Sequence, residues 1–524
     1  MPEFLRSLVY VMIVTAPALY VGGKIAVPII GLAEFRLWRN CWLLATVITF
    51  LSRSFFDFAV ALAFVSFYVH RYSKQPAFFY IVLMFVAPCV PIPAGIPGIF
   101  NKIIELDPPR WLAITILLPV AVRLLRDRGT REFRGLDVLV IAFLAYTSLL
   151  SVRLGDFNAI LRVLAGNFLD ICLPYFVFSR VIRSSLDMNK ALLAFVVGVL
   201  PLSAIGVLEI SKSWRVYYVV VQEWDVFLIT AYLFRDGLLR ASTTSIEAIA
   251  FGFVCMTGAG CLLALRSPVP LGAWRYAALG ILVLGLLSSV SRGPWLGFAF
   301  CILFLTITSP KRSFRLALAG LPGVVALLFL HPPFLDRFIN LLPFVGSADK
   351  GSETYRSSLF ENSLIVIQRY PLFGSDSFLK EPEMQTMIQG QGIIDIVNTY
   401  LQVALYYGLI GLFLFVLYFV FISSALARKS FGENSDSLSY KVVLGILVAM
   451  LLVIITTSSV SVIPYIYWTF SAMCAAVLAP NFAGHRENLP LQVTRRLKVL
   501  GLNPLARQGS PDDGREKMRV LGMH

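Results

Sequence analysis

Continuous apolar runs leave this chain few ways to fold. Residues 7–22, 135–151, 189–209, 243–265, 313–331, 398–424 and 439–459 each pass with at most two charged side chains. About twenty apolar residues in a helix cross the hydrocarbon core of a bilayer, and within lipid only helices and closed barrels satisfy every backbone N–H and C=O. A barrel would show alternating segments of about ten residues, whereas these runs are continuous and too long. With 58% hydrophobic and 14% charged residues and a mean hydropathy of +0.78, an ordinary water-soluble fold is excluded. The expected fold is all-α, a polytopic integral membrane helical bundle.

Further candidate spans are 40–52, 55–69, 77–92, 110–125, 167–183, 273–291, 294–309 and 462–481. Several are short for an upright crossing, so about twelve to fourteen true transmembrane helices are expected. Residues 1–70 are ambiguous, because Arg53 and Asp57 interrupt one apolar stretch, either at a hairpin tip or as a pair one helical turn apart. The net charge is +15, yet Arg and Lys sit in short clusters: Arg71 and Lys74, Arg123 to Arg134, Arg180 to Lys190, Arg266 and Arg275, and Lys311 to Arg315. Basic clusters on every second connection mark a cytoplasmic side, not a nucleic-acid surface.

The alternate connections are then extracytoplasmic: 93–109, 152–166, 210–242, the turn near 292, and a long polar interval at 332–397 in which acids outnumber bases. The chain divides into N-terminal transmembrane helices (1–331), this large loop (332–397), three C-terminal transmembrane helices (398–481) and a basic tail (482–524). The tail's Gly, Pro and charged residues predict disorder on the cytoplasmic side, against anionic lipid. The first apolar segment has no convincing cleavage site and is expected to stay. The seven cysteines fall in or beside apolar runs without metal-ligand spacing and read as packing residues. There is no Gly-rich nucleotide loop and no paired-aspartate metal motif at the outer face.

Ser289 to Gly297 joins two spans with almost no linker. Gly293 suits the positive-φ end of one helix and Pro294 the first turn of the next, which holds Arg292 at the outer interface beside the N–H groups of a helix start. Two readings fit Arg292: one wall of a phosphate cradle, or a side chain snorkelling into the headgroups to anchor its helix.

Four motifs follow one another from this turn. They are Ser291-Arg292-Gly293-Pro294-Trp295-Leu296-Gly297; the loop pair Tyr355-Arg356 and Tyr370-Pro371-Leu372-Phe373-Gly374-Ser375; Val397-Asn398-Thr399-Tyr400-Leu401-Gln402; and Tyr407-Gly408-Leu409-Ile410-Gly411. In order and spacing, over about 240–425, they resemble the O-antigen ligase and polymerase (WaaL/Wzy-like) superfamily, most of all members found with bacterial exopolysaccharide synthesis. The resemblance implies an inner-membrane glycosyltransferase with a large periplasmic loop and a polyprenyl-diphosphate-linked oligosaccharide as donor. It implies no cofactor, nucleotide sugar or metal ion. Its partners would be the lipid-linked oligosaccharide, membrane lipid, and a chain-length regulator or other export-machinery proteins, with no nucleic acid. Ligases of the superfamily commonly carry His before the Asn of the loop-end motif, where this chain has Val397. That difference favours a polysaccharide polymerase over a ligase. A lipid-linked oligosaccharide flippase is the remaining alternative, but a transporter should keep charges along the depth of its spans.

Such a reaction needs cations for a diphosphate leaving group and an acceptor for the proton of the attacking hydroxyl. Arg292 and Arg356 suit the first need, since a guanidinium stays charged and grips phosphate oxygens bidentately. Arg240, at the outer end of a span, is a third candidate. The competing roles are a loop salt bridge from Arg356 to Glu353 or Glu361 and a helix-end anchor for Arg240. Asp395, three residues before Asn398, is the first candidate base, provided partial shielding raises its pKa; otherwise it or Asn398 caps the next helix. Glu361 is the second candidate base and His331 the third. Gly390-Gln391-Gly392 reads as a turn or a mobile lid. Trp214, Tyr217, Tyr218 and Trp224 read as an interfacial belt or as faces for sugar rings.

Overall fold

The computed structural model describes residues 1–96, 100–127, 135–227, 233–235, 237–269, 271–310, 350–389, 392–430, 437–479 and 482. They form an all-α bundle. Its helices are α1 (Glu3–Ile30), α2 (Leu32–Leu51), α3 (Phe55–Tyr72), α4 (Ala77–Leu83), α5 (Pro108–Arg126), α6 (Gly135–Leu150), α7 (Phe157–Val181), α8 (Ser185–Lys212) and α9 (Tyr218–Glu223). They continue as α10 (Ala248–Ala264), α11 (Gly272–Ser288), α12 (Arg292–Thr308), α13 (Lys350–Arg369), α14 (Pro382–Gln385), α15 (Thr399–Ser430), α16 (Ser437–Val453) and α17 (Ile463–Val477). Two antiparallel pairs interrupt the helices: β1 (Ile92–Ile96) with β2 (Phe100–Leu106), and β3 (Phe234–Arg235) with β4 (Leu238–Leu239). By length and apolar content α1, α5, α6 with its following turn, α7, α8 and α15 can each cross a bilayer, and α10, α11, α12, α16 and α17 are shorter apolar helices.

Hydrogen bonds and ion pairs gather the described connections between the apolar helices on two faces. On one face Gln75 Nε2 donates to Asp187 Oδ1 at 2.8 Å, Asn189 Nδ2 donates to Arg266 O at 2.6 Å, Arg183 pairs with Asp127 at 3.3 Å, and Lys429 Nζ donates to Val477 O at 2.6 Å. Among the described residues, the basic clusters around Arg71, Arg183 and Arg266 lie on this face. The opposite face carries the β1–β2 hairpin, the α11–α12 turn, residues 350–398 and the α16–α17 turn. Residues 52–54 turn there as a hairpin tip: the Ser54 hydroxyl accepts from Asp57 N–H, and the Asp57 carboxylate accepts from Ser54 N–H, both at 3.1 Å. This reciprocal cap starts α3.

α8 is the central pillar, buried along most of its length and packed against α1, α4, α10 and α11. Lipid gives helices no hydrophobic reason to associate, so close van der Waals packing between small residues holds such bundles together. A Cβ added to Gly285 of α11 would lie 2.7 Å from Ser203 Cα on α8. The cysteines serve this packing: all seven are free and all but Cys172 are buried. The span expected at 77–92 is helical only to Leu83. Beyond it Met84–Val90 are buried without helix, held where Cys89 N–H donates to Thr244 O at 2.8 Å and the Thr244 hydroxyl donates to Phe85 O at 2.7 Å. Irregular backbone is tolerated at such depth because protein surrounds it.

Residues 350–407 build a small core of their own, with Leu359, Val366, Phe378, Met384, Ile396 and Leu405 in contact. The first turns of α15 therefore belong to the loop. The helix breaks at Gly408, with φ 68° and ψ −174°, and loop residues 371–375 lie across the break: Leu409 N–H donates to Pro371 O at 2.7 Å and Ser375 N–H to Leu405 O at 2.8 Å. A Cβ on Gly408 would stand 2.2 Å from Leu372 O, so only glycine fits. The single span expected at 398–424 is in fact two helices end to end, and the first reaches the bundle core as well, through Val403, Tyr400 and Tyr407. The candidate span 313–331, His331 and the tail beyond residue 482 lie outside the described residues.

Candidate functional site

Three short segments between the long helices meet on the loop-bearing face: residues 240–246 before α10, with a 3-10 turn at Thr243–Ser245, 289–291 between α11 and α12, and 454–462 between α16 and α17. Ala241 N–H donates to Ser288 O at 2.9 Å, Arg240 Nη2 to Ser291 Oγ at 2.9 Å, and the Ser461 hydroxyl to Ser245 O at 2.6 Å. Each segment contains left-handed backbone at residues other than glycine: Thr243 (φ 48°), Ile246 (64°), Val290 (46°) and Ser461 (52°). For β-branched side chains this conformation costs on the order of 1–3 kcal/mol apiece and persists only where the surroundings over-determine it. Such strain clusters at functional sites.

Glu209, one turn from the end of α8, supplies part of that constraint. Only 1% exposed, it accepts from Val216 N–H at 3.1 Å, Ser242 N–H at 3.1 Å and Thr243 N–H at 2.9 Å. A buried carboxylate is tolerable when backbone donors surround it in this way, and here two of the three donors, Ser242 and Thr243, belong to the segment bearing Arg240. Arg240 does not end a span. It lies next to β4, well before α10 begins at Ala248, and is only 6% exposed, with its guanidinium on the Ser291 hydroxyl. A headgroup anchor is therefore the wrong description for it.

The turn at Arg292 also differs from expectation. The positive φ belongs to Val290 and not to Gly293, and α12 begins at Arg292 itself, with Gly293 and Pro294 in its first turn. Gly293 is needed for approach: a Cβ there would come within 2.5 Å of Thr456 Oγ1. From this position Arg292 Nη1 reaches Glu353 Oε1 at 3.5 Å, which ties the turn to the first turn of α13. Glu353, one of the two carboxylates expected beside Arg356, thus pairs with Arg292.

α13 carries the next two groups. The Tyr355 hydroxyl donates to Asp395 O at 3.0 Å and accepts from Asp395 N–H at 3.2 Å, so it clamps the backbone of Asp395. Arg356 is half-buried and close enough to draw down the pKa of Asp395. Burial outweighs that pull and the 3.3 Å hydrogen bond from Ser458 Oγ, so the Asp395 carboxyl is raised above its ordinary value. The capping role belongs to Asn398, whose Oδ1 accepts from Tyr400 N–H at 2.9 Å and Leu401 N–H at 3.2 Å. Asp395 is left to Ser458.

The structure thus brings Arg240, Arg292, Arg356 and Asp395 into one connected set. Glu361 is not part of it: it is exposed on α13, about 200° around the helix from buried Leu359. Val397 is half-buried against the loop core. Gly392 adopts φ 75° in a turn closed by its N–H on Gln389 O at 2.8 Å, while Gly390 and Gln391 lie outside the described residues. The four aromatics of the 210–242 stretch are used in packing. Trp214 meets Tyr10 edge-on under Arg6, Tyr217 packs on Phe50, Trp224 packs on Phe55 and Phe58, and Tyr218 lies under Arg215.

Sequence reading missed Glu209 and the hydroxyl-rich turn Thr456-Thr457-Ser458-Ser459-Val460-Ser461. That turn binds the set together. Thr399 N–H donates to Ile454 O at 2.9 Å, the Thr399 hydroxyl to Thr457 O at 2.8 Å, and Ser459 N–H to Gln402 Oε1 at 3.0 Å. The visible signal was a run of five hydroxyl residues in six, between two spans, on the same side as the loop. Chemically, the assembled groups offer guanidinium charge for an oxyanion and, beside it, a carboxylate suited to take a proton.

Residues 277–416 match the O-antigen ligase family, a stretch from α11 to the early part of α15 that includes Arg292, Arg356, Asp395 and Gly408. No curated protein matches the chain.

Proposed function

We propose that this chain, a membrane protein with an O-antigen ligase-type domain, is an inner-membrane polysaccharide polymerase acting at the periplasmic face. Its donor is a glycan on polyprenyl diphosphate and its acceptor is a sugar hydroxyl of another lipid-linked repeat unit. The bond from the anomeric carbon to the diphosphate oxygen breaks, and its electron pair leaves with the diphosphate. The acceptor oxygen bonds the anomeric carbon and its proton passes to Asp395. Arg292 and Arg356 bind the diphosphate, with Arg240 behind Ser291 as a third cation. The observation that carries this reading is the link from Arg292 through Glu353 to the helix that also bears Arg356 and clamps Asp395. One helix thereby joins the leaving-group cations to the proton acceptor. Val397 before Asn398, where ligases commonly have His, supports polymerisation over ligation.

The test is turnover by purified protein in nanodiscs, given lipid-linked oligosaccharide extracted from the source membranes and a chelator. The expected result is a ladder of longer lipid-linked glycans, reduced about 10²–10³-fold by Arg292→Ala, as for loss of one transition-state charge partner. Transfer only to an added foreign acceptor would make the protein a ligase. Movement of lipid-linked sugar across the bilayer with no new bond would defeat the transferase reading.

A further inference from the structure

Breaking a helix orphans the carbonyls of the turn before the break. At Gly408 three consecutive ones have found new donors. Leu405 O takes Ser375 N–H at 2.8 Å, Tyr406 O takes Arg153 Nη2 at 2.9 Å, and Tyr407 O takes the Tyr146 hydroxyl at 2.9 Å. Two of these three donors are side chains of a different part of the bundle, α6 and the short turn Ser151–Leu154 that follows it. The same two side chains also hold the loop strand that crosses the break. Arg153 Nη1 reaches Phe373 O at 2.8 Å and Gly374 O at 3.1 Å, and the Tyr146 hydroxyl lies 3.1 Å from Leu372 O. Arg153 Nε is fixed in turn by Leu150 O at 3.1 Å. The planar guanidinium fork therefore spans two segments, one nitrogen on the loop and one on α15.

We infer that Arg153, seconded by Tyr146, is a positioning residue for the glycan-transfer site, an inference that rests on the function proposed above. α13 ends at Arg369, immediately before this joint, and its last turn is continued into it by Tyr370 N–H on Val366 O at 3.1 Å and Gly374 N–H on Tyr370 O at 3.2 Å. Tyr355 and Arg356 stand near the other end of the same helix, about 20 Å away at 1.5 Å per residue. A tilt of about 3° at the joint therefore moves Arg356 by about 1 Å, and a displacement of that size costs about 10²-fold in rate. Lysine keeps the charge at position 153 but lacks the rigid fork that addresses both segments at once.

The experiment pairs kinetics with amide hydrogen exchange on Arg153→Lys, Arg153→Ala and Tyr146→Phe in nanodiscs, using the extracted lipid-linked oligosaccharide. In Arg153→Lys, kcat should fall about 10–100-fold while the half-saturating donor concentration changes less than about 3-fold. Exchange should rise in peptides covering 371–375 and 405–409 and stay unchanged in α8 and α10. Unchanged exchange at the joint in every variant overturns the inference, and so does raised exchange with undiminished turnover. A loss carried wholly by weaker donor saturation overturns it too. If Arg153→Ala does not fold, the Lys and Phe variants decide. The exchange readout does not depend on which bond the enzyme makes, so failure of the polymerase reading leaves the pin itself measured and removes only its catalytic consequence.

Discussion

Asp395 is a carboxylate that protein shields from water while leaving one oxygen within reach of Ser458. Because burial lifts its pKa, the folded state holds the proton at pH values where the unfolded chain, titrating near 3.9, has released it. Across the window between the two values stability therefore falls as pH rises, while activity, which needs the ionised base, climbs. Asp395→Asn separates the two effects. Turnover should drop about 10²–10⁴-fold and the rising limb of the pH–rate profile should vanish, while the thermal midpoint near neutral pH stays equal to or above that of the unsubstituted protein. A clear fall in that midpoint would contradict the shielding. At this scale sequence reached the charged residues but not their partners. Arg292 and Asp395 stand out because a charge beside an apolar run is conspicuous, whereas Ser458 and Glu209 act on groups 63 and 33 residues away.

α15 shows how an element can hide its own division. Hydropathy runs unbroken across Gly408, and glycine is unremarkable inside a membrane helix, so the sequence reads as one span. The reason for the break comes from outside the run, in Leu372 and its neighbours lying across it. Gly408→Ala is accordingly expected to destabilise by at least about 1–3 kcal/mol, through a positive φ that alanine resists and a clash with Leu372 O. Thermal unfolding in detergent measures this, and a midpoint within experimental error of the parent would mean that the loop does not dock there. The early end of α4 was hidden for a similar reason: the buried stretch after Leu83 is as apolar as a helix, and its irregularity follows from bonding to Thr244. By contrast the helical class was legible, because it rests on composition, while the turn near Ser54 stood in the sequence as one of two readings of Arg53 and Asp57 and is decided by its reciprocal cap.

Among the described residues the basic connections occupy one face and the site the other, which charge bias reads as inside and outside. The buried or half-buried native cysteines give a quiet background for testing this. In intact cells with a permeabilised outer membrane, an impermeant maleimide should label Ser357→Cys and leave Lys74→Cys unlabelled until the inner membrane is opened. The reverse pattern would invert the topology and place the site in the cytoplasm. The basic clusters themselves were visible in the sequence, since they need only the positions of arginine and lysine. The convergence of three short turns was not, because each turn looks like an ordinary connection until its neighbours are known.

The left-handed residues in those turns carry a consequence for how this protein responds to change. Val290 and Ile246 hold conformations that glycine would adopt without penalty. A sequence drifting under selection for robustness alone would relax them, gaining thermal tolerance and loosening the geometry around Arg292. The strain held at these two β-branched residues thus sets rigidity of the turns around Arg292 against thermal tolerance, in opposite directions.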